Sequence, residues 1–205
     1  MVTIADQEYP ACNGYWDRIG PHRLGPTANE RYQADKRVTE RGEEVILTRD
    51  TDDGLRLERT ILVPAGNERA IVVTSRLVNA GSAPATAILQ THPELRLGEF
   101  EDCVFAAKLA NGERIDDAFA DHPHGRPWGY DLLNDRAPAG SWSVVNRRLG
   151  MTVTVEFEPQ QVARAQAKLR GDWREVELIL YSPERELAPG EAITITHRWH
   201  IGENT

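Results

Sequence analysis

His92-Pro93-Glu94 is the stretch of this sequence best equipped for chemistry. An imidazole titrates near neutral pH, so it can give and take a proton under working conditions. Side chains alternate along an extended segment, which puts His92 and Glu94 on one face. The duller account is a ring that ends a strand and hydrogen-bonds at the sheet rim. Glu156, Glu158 and Glu177 are further carboxylate candidates by strand position alone, with a solvated edge the plainer reading of each. Asp121-His122-Pro123-His124 brings two imidazoles and a carboxylate into one short run, a donor set a metal can use. No cysteine or further ligand stands at characteristic spacing, so a solvated polar loop is expected, and no metal or cofactor is assigned. His197 and His200 are three apart on a predicted strand, hence on opposite faces, and do not pair. There is no Gly-rich phosphate loop, no serine in a nucleophile elbow and no zinc-type cysteine spacing, which leaves nucleotide hydrolysis and acyl transfer without support.

The elements that must position these residues read as strands. Between Leu55 and Gly98 three apolar-rich segments are cut by turns at Pro64 to Asn67 and Gly81 to Pro84. Within the middle segment Ile71, Val73, Ser75, Leu77 and Asn79 alternate with Val72, Thr74, Arg76 and Val78, the period of a strand. Upstream, Tyr32 to Arg41 and Glu44 to Arg49 flank Gly42, and Asp52-Asp53-Gly54 is a strong turn signal. Downstream, Cys103 to Leu109 leads to the Asn111-Gly112 turn. Strands are then expected at Trp142 to Asn146, Met151 to Phe157, Val162 to Leu169, Val176 to Tyr181 and Ala192 to Ile201. A helix is the alternative over Gln160 to Arg170, where helix formers dominate. Met1 to Ala28, rich in Gly, Pro and aromatics, is expected to be irregular and to wrap a preformed core. Asp116 to Gly140 is expected to be the longest irregular region and the first place to look for a binding surface. Consecutive strands with almost no amphipathic helix predict an all-β fold, a large antiparallel β-sandwich forming one domain over residues 1–205.

Composition narrows the partners. The chain has 205 residues and a net charge of −8, with both signs interspersed. Phosphate binding needs a concentrated positive surface, so nucleic acid is not expected. No apolar run approaches membrane-spanning length and the N-terminus shows no secretion signal, so a soluble chain is expected, with a weak lean to the cytoplasm. Two cysteines, Cys12 and Cys103, are too few for a disulfide framework, and two unpaired thiols are expected.

Two groups of motifs carry a resemblance. Leu57-Glu58-Arg59-Thr60-Ile61, Ile71-Val72-Val73, Leu77-Val78-Asn79-Ala80-Gly81 and His92-Pro93-Glu94-Leu95 resemble the middle strands of galactose mutarotase-like β-supersandwich domains. In those domains an Asn-Gly-type turn follows one strand and a histidine stands at the end of the next. Leu178-Ile179-Leu180-Tyr181, Leu187-Ala188-Pro189-Gly190-Glu191 and His197-Arg198-Trp199 are similar to the closing strands of the same domains. The resemblance spans roughly Gly20 to Ile201 and implies carbohydrate handling. It implies that His92 protonates a sugar ring oxygen while a glutamate remote in sequence takes the anomeric proton. Glu94 is too close in sequence to be that base, and no other residue is singled out for it.

Set against that resemblance, the chain is shorter than a typical free-standing mutarotase and is expected to begin inside the family pattern. The leading expectation is therefore a carbohydrate-binding domain, with an aldose epimerase as the alternative and a structural sandwich resting on a catalytic partner as the third reading. A catalytic domain or a second copy of the chain is a further partner these readings admit. Trp16, Trp128, Tyr130 and Trp142 lie in or beside predicted loops, where aromatic rings stack on a pyranose face. Trp142 and Trp173 have flanks that suit the core instead. Arg23, Arg126 and Asp131, with Glu94, are the candidate partners for sugar hydroxyls. Surface salt-bridging is the plainer account of each charge taken alone.

Overall fold

The structure, a computed structural model, describes residues 2–4, 7–9, 15–19, 32–122, 128–171 and 174–203, the strands before residue 32 by their backbone pairing. Within these residues the chain forms strands β1 (Val2–Ile4), β2 (Gln7–Tyr9), β3 (Tyr15–Ile19), β4 (Gln33–Thr39), β5 (Gly42–Asp50), β6 (Leu55–Pro64), β7 (Ala70–Asn79), β8 (Ala85–Ala87) and β9 (Leu89–Leu95). They continue with β10 (Cys103–Leu109), β11 (Arg114–Ala118), β12 (Trp128–Leu133), β13 (Pro138–Asn146), β14 (Met151–Phe157), β15 (Arg164–Arg170), β16 (Glu175–Tyr181), β17 (Arg185–Leu187) and β18 (Ala192–Glu203). Helix among the described residues is limited to single 3-10 turns, and no helix is long and apolar enough to cross a membrane.

A nine-stranded sheet runs β11-β10-β13-β14-β18-β7-β6-β5-β4 and a five-stranded sheet runs β12-β15-β16-β9-β3. Neighbours are antiparallel throughout, and β8 with β17 makes a short ribbon. This is the expected antiparallel sandwich. The alternation read in β7 holds: Val73, Ser75, Leu77 and Asn79 are buried, while Arg76 points outward. One cluster joins the two sheets, with Leu57, Leu77, Phe105, Trp142, Val155 and Ile195 from the larger and Leu132, Ala165, Ala167, Leu169, Leu178 and Leu180 from the smaller. Trp142 sits edge-on to Phe105 and Phe157, both with centroids 6.0 Å away. Each such pair adds about 0.5–1.5 kcal/mol beyond the area it buries.

Three local expectations change. The helical alternative over Gln160 to Arg170 fails: Pro159–Gln161 is one 3-10 turn, and Arg164–Arg170 is a strand because Ala165, Ala167 and Leu169 point into the core on a period of two. Asp116 to Gly140 is less irregular than its composition suggests, since Trp128–Leu133 adds an edge strand to the smaller sheet. Tyr15–Ile19, inside the segment read as irregular, is the opposite edge strand, paired with β9.

Two positions show how turns are tied. Gly42 has φ 137°, and a Cβ there would stand 2.0 Å from the Val63 carbonyl oxygen, so only glycine lets β5 approach β6 this closely. Asn79 closes the end of β7: its amide donates to the Ala83 and Leu187 carbonyls, both at 2.8 Å, and its Oδ1 accepts from the Gly81 N–H at 3.0 Å. Cys103 is a free, buried thiol, and burial pushes it up to about 12, which makes it unreactive. Cys12 lies outside the described residues.

Candidate functional site

The inward face of the five-stranded sheet is apolar, so the alternate residues of its strands form the opposite face. Across β12, β15, β16 and β9 the register sets Gly129, Lys168, Glu177 and Glu94 in one row. A second row holds Asp131, Gln166 and Ile179 and reaches His92, which stands opposite Trp16 of β3. This face carries the charge. β16 is central and its residues Glu175 to Leu180 are all buried, so Glu175 and Glu177 are carboxylates held away from water. The β9 to β16 ladder pairs Glu94 with Glu177 and Thr91 with Leu180 but lapses between them, where Pro93 has no N–H to give. His92 stands at that lapse.

His92 is 9% exposed and Glu177 3%. Nε2 of His92 lies 3.0 Å from Oε2 of Glu177, at ion-pair distance but without the alignment of a hydrogen bond. Oε1 of Glu94 lies 3.8 Å from the same nitrogen, as their alternation in the sequence predicts. Lys168 Nζ approaches Oε2 of Glu177 to 3.2 Å, and an Arg170 guanidinium nitrogen approaches its Oε1 to 3.4 Å. On the other side of the ring, the Gln90 amide nitrogen is 3.2 Å from Nδ1.

These neighbours push two carboxyls apart. Burial alone raises Glu177, but the His92 ring and the Lys168 ammonium outweigh it and bring the carboxyl down to about 2. Glu175 goes the other way. Burial raises it, the Glu94 and Glu177 charges add to that against Arg96 and Arg170, and it reaches about 7, with Oε1 buried and without a hydrogen bond.

Beside the cluster, Trp128, Gly129, Tyr130, Asp131, Gln166, Ala167 and Lys168 line a pocket of about 300 Å³. It opens over Gly129, where a Cβ would stand 2.0 Å from the Ala167 carbonyl oxygen. Lys168 belongs to both pocket and cluster. Asp131, exposed, is held by Arg164 through two contacts of 2.6 Å, which keep its carboxyl below the ordinary range. Gln166 accepts from the Tyr181 hydroxyl at 2.6 Å.

The structure thus brings His92, Glu94 and Glu177 together and sets Asp131 in the adjoining pocket. Trp128 lines that pocket from the edge strand, but its ring packs toward the core, edge-on to Phe119 and stacked on His122 with centroids 3.3 Å apart. It therefore stands on the other side of the sheet from the His92 ring. Trp142 is core, as its flanks suggest, and Glu156 and Glu158 are exposed. Arg23 and Arg126 lie outside the described residues, as do His124 and Trp173, and Trp16 is described only by its pairing with His92. His122 is bound to Asp117 at 2.7 Å in a polar loop, and His197 and His200 are buried and exposed in turn, on opposite faces. Glu177 is not on the solvated edge that its position suggested. A carboxylate inside the apolar run Val176-Glu177-Leu178-Ile179-Leu180 is the signal that it belongs to a strand buried on both faces. Lys168 and Arg170 alternate with Leu169 and read from sequence as an ordinary wet face.

No family model matches the chain, and no curated protein matches it in sequence. Solved structures do match. The Slr1438 protein from Synechocystis superposes with a TM-score of 0.68 at 9% identity, over 87% of this chain and 68% of that one. A putative aldose 1-epimerase from Escherichia coli gives 0.63 at 12% identity, over 84% and 68%. A galactose mutarotase-like protein from Clostridium acetobutylicum gives 0.64 at 10%, over 86% and 68%. The chain has the galactose mutarotase-like fold, and it spans about two thirds of the length of these neighbours.

Proposed function

We propose that the chain binds a carbohydrate on the charged face of its five-stranded sheet, in the pocket over Gly129. The observation that carries this reading is the convergence of Asp131, Gln166 and Lys168 on a concave space of about 300 Å³ whose floor is the exposed backbone of an edge strand. Carboxylate, amide and ammonium groups at fixed positions suit the donor and acceptor pattern of sugar hydroxyls. The likeness to mutarotase-like structures supports the same substrate class. Isothermal titration against a panel of mono- and oligosaccharides tests it. Saturable heat from at least one sugar, weakened by Gln166→Ala and Lys168→Ala, is expected, and folded protein that gives no heat with any sugar contradicts it.

The second reading is an aldose epimerase, favoured by the contact between His92 and Glu177. The ring oxygen and the anomeric hydroxyl of an aldose are borne by one carbon, so an acid and a base acting on them must stand side by side. Two features count against it. A carboxyl held at about 2 is a weak base at neutral pH, and the facing atoms of the pair are shielded from solvent. Binding is therefore preferred. Polarimetry on freshly dissolved sugars separates the two: a binder leaves the mutarotation rate unchanged, whereas an enzyme accelerates it and loses the acceleration in His92→Ala.

A further inference from the structure

The spacing of the His92 cluster suits a cation as well as it suits proton transfer. One nitrogen of His92 and one oxygen each from Glu94 and Glu177 lie within 4.8 Å of one another. Bonds of about 2.1 Å to a first-row divalent ion put ligands at right angles about 3.0 Å apart and tetrahedral ligands about 3.4 Å apart. The observed separations from Nε2 are 3.0 Å to Glu177, inside that range, and 3.8 Å to Glu94, about 0.4 Å beyond it. Glu94 and Glu177 are paired across β9 and β16, and the His92 backbone is paired with Trp16 of β3.

Two further observations point to a ligand. Nε2 of His92 and Oε2 of Glu177 are buried and face each other without an aligned hydrogen bond, although hydrogen-bond formers so placed normally align. Behind the ring, Gln90 is fully buried and its Oε1 has no donor, while its amide nitrogen faces Nδ1. A half-turn of that amide lets Nδ1–H donate to Oε1. Nε2 then presents its lone pair to the centre of the cluster, the outer-shell arrangement of a metal-bound histidine.

We propose that His92, Glu94 and Glu177 bind a first-row divalent cation of the zinc type, with Gln90 orienting the imidazole and Lys168 acting as the cation the metal displaces. Imidazole with carboxylates favours such an ion over calcium or magnesium, which take oxygen donors. The Lys168 ammonium stands 3.2 Å from the shared oxygen of Glu177 on a side chain 40% exposed, so it can swing into solvent when the metal enters. The site goes beyond the sugar reading and does not rest on it. A cation on Nε2 occupies the lone pair that proton transfer would use, so metal-loaded protein has no acid–base pair at His92.

The test is titration of chelator-treated protein with Co²⁺ alone, read by visible d–d absorption, with Zn²⁺ calorimetry alongside and circular dichroism on every variant. One equivalent is expected to bind. His92→Ala and Glu177→Gln should weaken binding by more than the roughly 10- to 100-fold that loss of an outer-shell partner costs, and Gln90→Leu by about that amount. Glu94→Gln, a change of one atom at constant volume, keeps the test open if His92→Ala fails to fold, and it too should weaken binding. Lys168→Met should tighten it several-fold, and unchanged affinity there overturns the role given to Lys168. No saturable signal from wild type, or binding that survives His92→Ala and Glu177→Gln unchanged, overturns the site. Cobalt binding without sugar binding upholds the metal site and removes the proposed function, and the reverse result does the opposite.

Discussion

Glu175 and Glu177 stand two residues apart on one strand and titrate in opposite directions, which gives stability a peak in pH. Glu177, ordinarily 4.5 and held at about 2, contributes stability that is present above 4.5 and lost as pH falls toward 2. Glu175, raised from 4.5 to about 7, contributes stability that is present below 4.5 and lost as pH rises through 7. In chelator-treated protein, urea denaturation should find the maximum near pH 4.5 from this pair. Glu175→Gln should remove the decline above it and add about 2–3 kcal/mol at pH 8. A profile in that variant parallel to wild type between pH 5 and 8 contradicts the assignment. At this scale the sequence was partly legible. His92 and Glu94 were readable from alternation alone, whereas the third member of their cluster needed the register of β9 on β16, which no local pattern encodes. Trp128 was readable as an aromatic either near a site or in the core, and the choice between the two was not, because its strand was hidden in a segment rich in Gly, Pro and His.

Among the elements, β12 and the end of β7 carry the most specific consequences. Trp128-Gly129-Tyr130-Asp131-Leu132 alternates like a strand, but its glycine and charge read as loop, and only pairing with β15 settles the matter. Gly129→Ala should push β12 off β15 through the contact with the Ala167 carbonyl, and amide exchange in Trp128 to Leu133 should quicken by at least tenfold while β16 stays protected. Asn79→Ala removes three hydrogen bonds at a buried position and should cost about 2–4 kcal/mol by guanidinium denaturation. A loss below 1 kcal/mol contradicts its role as the tie between β7 and the β8–β17 ribbon. The strand sequence around Asn79 was legible because one wet face and one dry face leave a period of two. The helical alternative at Gln160 to Arg170 arose because intrinsic propensity is weak beside burial of Ala165, Ala167 and Leu169.

Among the described residues two large, unequal sheets close on one apolar cluster, and β4 is left as an edge with every residue exposed, Val38 by 78%. Asp35, Lys36 and Arg37 put charge on that edge, which discourages pairing with another chain. The cluster itself hinges on Trp142. Trp142→Ala should cost about 3–5 kcal/mol, read as a lower denaturant midpoint at unchanged slope. Sandwich architecture follows from strand count and the scarcity of helix, which is why it could be read at this scale, while the site depends on which faces meet.

The proposed binding of a sugar to the charged face of the smaller sheet is open to a nitrogen-15 NMR titration with a monosaccharide panel. Saturable shifts concentrated at Gly129, Asp131, Gln166 and Lys168 are expected. Shifts confined to the nine-stranded sheet, or none with any sugar, would contradict it.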